Sequence, residues 1–93
     1  MKKFDLGMLV ATLGVNSRMA FDTSFRVFVT TSLQRYEACD WGTLSNEDKA
    51  QSEYAVEHDE RIMGQYECSG QPKIWIITEP NRSTTTVLFP EEY

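Results

Sequence analysis

The chain is poor in the residues that mark most active sites and scaffolds. It has two cysteines, Cys39 and Cys68, enough for at most one bridge, so it is not a disulfide scaffold and a reducing bacterial-type cytoplasm is the natural compartment. It has one histidine, His58, and therefore one imidazole to serve as a base. Its five glycines, Gly7, Gly14, Gly42, Gly64 and Gly70, are scattered, which excludes a glycine-rich phosphate loop. No apolar run reaches the ~18 residues of a membrane span. Met1-Lys2-Lys3 followed by Leu6 to Val15 has the outline of a secretory signal, but Asp5 interrupts it and no small-x-small cleavage site follows. Repeats, linkers and low-complexity tracts are missing too.

What remains is a chain of 93 residues that is 41% apolar and 25% charged, too hydrophobic for a disordered tail. At this length the expectation is one core and one domain over 1–93. Nine basic and fourteen acidic side chains give a net charge of −5, which argues against a general binder of phosphate backbones.

The charge is unevenly spread. Residues 1–35 sum to +3, 36–60 to −7 and 61–93 to −1. The acidic block is Glu37, Asp40, Glu47, Asp48, Glu53, Glu57, Asp59 and Glu60, with Lys49 its one counterweight.

Hydrophobic spacing places the block in an α+β fold. Leu6 to Thr12 reads as a short strand ending in a turn around Gly14. Asp22 or Thr23 can cap a helix whose Phe25, Phe28, Val29, Leu33 and Tyr36 recur at three- and four-residue spacing. Cys39-Asp40-Trp41-Gly42 breaks that pattern, and Ser45 with Asp48 starts a second helix to about Glu57, with Ala50, Tyr54 and Ala55 as its apolar stripe. From Arg61 the period becomes two: Ile62, Gly64, Tyr66 and Cys68 alternate with Met63, Gln65 and Glu67. Lys73 to Thr78, with Ile74-Trp75-Ile76-Ile77, reads as the central strand. A hairpin loop over 79–83, with Arg82 exposed at its tip, returns the chain as Thr84 to Phe89. The expectation is a small antiparallel sheet, a short N-terminal strand plus a C-terminal three-strand meander, packed against two or three helices on one face.

Two stretches carry a family resemblance. Arg35-Tyr36-Glu37-Ala38-Cys39-Asp40-Trp41-Gly42 through Glu47-Asp48, and Lys73-Ile74-Trp75-Ile76-Ile77-Thr78-Glu79 through Arg82 and Thr85-Thr86-Val87-Leu88-Phe89-Pro90 to Glu92-Tyr93, resemble a family of small proteins of bacterial plasmids and integrative elements. That family's pattern is R-H-x-x-G-D-W-G, then E-D, K-I-W-I-I-T-E and T-T-V-L-F-P-x-E-Y. Tyr36 stands where the pattern has His, Cys39 where it has Gly, and Ser52 where Asn is common. The resemblance implies a mobile-element setting and no particular activity.

Catalytic signals are thin. His58 lies between Glu57 and Asp59, where an exposed histidine on a solvated helix end is the simpler reading, and no motif joins it to a cysteine nucleophile. Paired carboxylates are unavoidable in a block of eight acids. Cys39, Asp40, His58 and Cys68 are the ligand types that zinc prefers, without tight Cys-x-x-Cys spacing; the alternative is that both cysteines are small buried hydrophobes, Cys68 on the Ile62-Gly64-Tyr66 face. Trp75 reads as core. In the Asp40-Trp41-Gly42 turn, Asp40 can cap amides, Gly42 can take positive φ and Trp41 can roof the core.

The acidic block is the coherent candidate. Glu37, Glu47, Asp48, Glu53, Glu57, Asp59 and Glu60 form either a soluble helix face or a surface for a protein partner that normally holds nucleic acid. In a mobile-element setting the second reading points to a non-enzymatic anti-defence protein, specifically an anti-CRISPR inhibitor of a type II RNA-guided effector nuclease. The alternatives are a regulatory or structural accessory of the element and a zinc-dependent hydrolase.

Overall fold

A computed structural model describes residues 4–93; the basic start Met1-Lys2-Lys3 lies outside the described residues. The elements run β1 (Met8–Ala11), α1 (Leu13–Phe21), α2 (Thr23–Glu37), α3 (Asn46–His58), β2 (Ile62–Tyr66), β3 (Ile74–Thr78) and β4 (Thr84–Leu88), then a 3₁₀ turn, Pro90–Glu92. The sheet order is β1-β4-β3-β2. This is an α+β fold with the expected meander. The meander is antiparallel throughout, with Gly64 opposite Ile76 and Ile76 opposite Val87.

The N-terminal strand departs from expectation. β1 lies parallel to β4, Leu9 beside Thr85, so the sheet is mixed. With both sides of β3 taken by hairpins, the outer edge of β4 is where this strand joins. It is anchored there by Met8 N–H donating to Ser83 O (2.9 Å), Thr12 N–H donating to Val87 O (3.1 Å) and Thr85 Oγ1 donating to Leu6 O (2.7 Å).

Helix starts follow their capping residues. Thr12 Oγ1 accepts from Val15 N–H, Asp22 Oδ1 from Phe25 N–H at 3.0 Å, and Ser45 Oγ from Asp48 N–H at 3.2 Å, each satisfying an otherwise orphaned amide. Helix α1 replaces the turn expected around Gly14. Its single fully buried residue is Val15, so it leaves almost no periodic apolar signal.

Ile62, Gly64, Tyr66, Ile74, Ile76, Thr78, Thr85 and Val87 project toward the helices and are buried. They meet Val15, Phe25, Phe28, Val29, Tyr36, Trp41, Leu44 and Ala55, one continuous core in which each large apolar side chain contributes about 1.5–3 kcal/mol. A chain of hydroxyls crosses it. Thr85 donates to Leu6 O, Thr78 Oγ1 lies 2.7 Å from Thr85 Oγ1, and Tyr36 Oη lies 2.7 Å from Thr78 Oγ1 and 3.2 Å from Ile62 O. Burial pushes the Tyr36 and Tyr66 phenols above the ordinary range, so both stay protonated donors.

Four local expectations need correction. The buried face of α3 is Ser52 and Ala55, while Ala50 and Tyr54 face solvent, because the helix is held to β2 through a hydroxyl as well as by apolar contact. β2 stops at Tyr66, and Cys68, beyond it in the turn, is exposed rather than buried. Trp75 is only half-buried, because its side chain stands on the sheet face away from the helices, against Tyr93 and with Nε1–H donating to Gln65 Oε1 at 2.9 Å. Arg82 is half-buried rather than exposed, for the reason given below.

Candidate functional site

The motif residues around the α2–α3 corner assemble into a brace. Just past the Ala38 cap of α2, Cys39 takes left-handed backbone (φ 63°), and Asp40 N–H reaches back to Arg35 O. Asp40 then does two jobs: its carboxylate receives Arg35 Nε–H (2.8 Å) and Nη2–H (3.3 Å), and Oδ1 accepts from Gly42 N–H (3.1 Å). The guanidinium bond holds the Asp40 carboxyl below its usual range. Gly42 has φ 74°, and a Cβ there would collide with Gln65 O. Trp41 is buried against Tyr36 and Phe4, with Nε1–H donating to Glu53 Oε2 at 2.9 Å. The Asp40-Trp41-Gly42 turn is thus architectural, as its residue types suggested.

The second motif stretch braces the other end of α3. Arg82 Nη2–H donates to Ala55 O and Nη1–H to Glu60 O, both at 2.7 Å, placing a cation on the C-terminal carbonyls of the helix. At the end of the chain Glu92 Oε1 accepts from Thr12 Oγ1–H (2.6 Å) and Phe89 N–H (2.8 Å), while Tyr93 packs edge-on to Trp75 with Arg61 over its ring. Most residues of these two stretches are therefore spent on holding the fold.

The zinc candidates are not drawn into a ligand set. Asp40 is engaged by Arg35, Cys68 is exposed and Cys39 packs partly against the core. His58 stacks on Tyr54 at 3.8 Å and 8°, its Nδ1 2.8 Å from Tyr54 O. Among the described residues no group of three or more His, Cys, Asp or Glu could hold a metal ion. No helix among them is long and apolar enough to cross a membrane.

The acidic residues do gather. Glu47 and Asp48 lie in the first turn of α3, where the helix dipole favours them, followed by Glu53, Glu57, the left-handed cap Asp59 (φ 52°) and Glu60, all exposed. Residues 46–60 hold six acids and one base, a charge of −5; the remainder of the chain has eight of each and sums to zero. Glu37 is set apart, half-buried at the end of α2. Among the described residues the ion pairs are Arg18–Asp22 and Arg35–Asp40, and neither involves this segment. Glu53 and Glu60 are oriented by Trp41 and by Gln51 Nε2–H (3.1 Å), whereas the side chains of Glu47 and Glu57 make no hydrogen bond among the described residues. Tyr54, seven residues after Glu47 and three before Glu57, sits on the same side, half exposed under the His58 ring. That aromatic platform was missed in the sequence, where Tyr54 reads as core; a lone tyrosine among acids at solvent-facing spacing is the signal that could have found it.

The chain matches no family model, and no curated protein or solved structure is significantly similar to it.

Proposed function

We propose that this protein is a non-enzymatic anti-defence protein of a mobile element, an anti-CRISPR inhibitor that seats α3 in the basic nucleic-acid channel of a type II RNA-guided effector nuclease and impedes DNA loading. One observation carries the reading: the entire formal charge excess is displayed on 46–60, exposed and without an ion-paired partner among the described residues. A surface of this kind attracts lysine- and arginine-lined grooves and competes there with phosphates. Tyr54 and His58 add a rigid ring surface on which a guanidinium can stack. The mobile-element setting implied by the motif resemblance supplies the class of target, by analogy with elements that must survive host nucleases.

The test is direct binding to such a nuclease, with and without guide RNA, and inhibition of target cleavage. Glu47→Lys combined with Glu57→Lys shifts the net charge from −5 to −1 and breaks no hydrogen bond of the fold. It should weaken binding at least about tenfold and restore cleavage. Binding by the parent chain that the double variant leaves unchanged counts against the acidic surface, and no association with any such nuclease counts against the target class.

A further inference from the structure

On the sheet face turned from the helices, where the Trp75 side chain stands, Ile77 and Leu88 are nonetheless buried, at 4% and 5% exposure. Residues 89–93 fold back beside them, held by the bonds of Glu92 to Thr12 and Phe89 and by the packing of Tyr93 on Trp75. An open cavity of about 310 Å³ is left there, with Ile77 and Leu88 as its apolar floor, Thr86 beside them, and the exposed Arg61, Glu79 and Tyr93 at its rim. That volume lies at the lower end of the range for small-molecule sites.

Two opposite charges on the rim are left for a ligand. Arg61 and Glu79 continue the β2–β3 ladder one step beyond Ile62 opposite Thr78, which makes them cross-strand neighbours, a position that favours an ion pair. They form none. Arg61 instead turns its guanidinium over the Tyr93 ring and donates from Nη1–H to Tyr93 Oη. Its Nε–H and Nη2–H, the edge of the fork that takes a carboxylate bidentately, donate to nothing among the described residues, and the Glu79 carboxylate accepts no hydrogen bond among them. The other carboxylate lining the cavity, Glu92, is already committed through Oε1 to Thr12 and Phe89. A simple anion here would meet repulsion from Glu79 and a simple cation repulsion from Arg61, while a residue inside a peptide carries neither charge. We propose that the cavity binds a free α-amino acid with an aliphatic side chain, its carboxylate on Arg61, its ammonium on Glu79 and its side chain on Ile77 and Leu88. None of these residues lies on α3, so the site stands or falls apart from the acidic-surface reading.

Titration of the full chain with L-leucine, read by the amide resonances of Ile77, Thr86 and Leu88, tests the site. Saturable shifts confined to β3, β4 and residues 89–93 are expected at millimolar ligand. N-acetyl-leucine, which lacks the ammonium, and leucinamide, which lacks the carboxylate, should each bind at least about tenfold more weakly. Arg61→Gln should weaken leucine by a similar factor and leave leucinamide no weaker, whereas Glu79→Gln should weaken leucine and leave N-acetyl-leucine no weaker. Both side chains are exposed, so neither substitution opens the core, and a general loss of structure would not produce that crossed pattern. The absence of saturable shifts at millimolar leucine, shifts centred on α3, or a blocked form that binds as tightly as leucine would each overturn the proposal.

Discussion

Cys39 shows how a single residue can stand in a conformation it does not favour. Its φ of 63° turns the chain away just past the Ala38 cap of α2. Left-handed backbone costs an L-residue about 1–2 kcal/mol, whereas glycine adopts it freely. Cys39→Gly should therefore be more stable than Cys39→Ala by about 1 kcal/mol, since both lose the sulfur and only glycine relieves the strain. Parallel thermal melts of the two variants check this; alanine equal to glycine would show that the turn does not impose the conformation. Asp40, next in the chain, makes stability depend on pH. Its carboxyl titrates lower in the folded protein than in the unfolded chain, mainly because Arg35 donates to it, so the unfolded state binds the proton more readily. The contribution is present above the unfolded value of 3.8 and is lost as pH falls through the lower folded value. Melting temperature should drop between about pH 5 and pH 3, and Asp40→Asn should flatten that part of the profile while lowering the plateau at neutral pH.

At the scale of elements, α3 is held by polar bonds where a helix usually relies on apolar contact. Ser52 is buried, and its hydroxyl both donates to and accepts from the backbone of Met63; an asparagine side chain also carries a donor and an acceptor. Ser52→Ala leaves two backbone groups without partners and should cost about 1–3 kcal/mol, whereas Ser52→Asn should recover part of it; equilibrium denaturation that finds alanine neutral would mean water replaces the hydroxyl. This seam also marks what could be read from sequence. The meander was legible because Ile62, Gly64 and Tyr66 alternate with Met63, Gln65 and Glu67, and α2 because Phe25, Phe28, Val29 and Tyr36 repeat at helical spacing. The buried face of α3 was not, since a serine chosen for its hydrogen bonds carries no hydrophobic signal. Nor was the role of Arg82, which spans 27 residues to reach Ala55 O, nor the parallel direction of β1, which depends on where β4's free edge lies. The acidic block could be counted from sequence, but only the structure separates Glu47 and Glu57, whose carboxylates make no hydrogen bond among the described residues, from Glu53 and Glu60, which are partly committed to the fold.

For the whole molecule, charge and apolar surface are segregated: residues 46–60 carry −5, whereas residues 1–34, which build the β1 edge, hold four bases and two acids and sum to +2. The acidic helix and the sheet-face cavity should respond differently to salt. Raising ionic strength from about 0.1 M to 1 M shortens the screening length from about 10 Å to about 3 Å. Capture of α3 by a basic channel depends on attraction between exposed charges, so its association rate and affinity should fall steeply over that range. An α-amino acid carries no net charge and meets Arg61 and Glu79 at contact distance, so its affinity should change far less. Titrating salt against nuclease binding and leucine binding in the same preparation separates the two. A common steep decline would assign both associations to the acidic helix, whereas insensitivity of nuclease binding would move the partner's contact off residues 46–60.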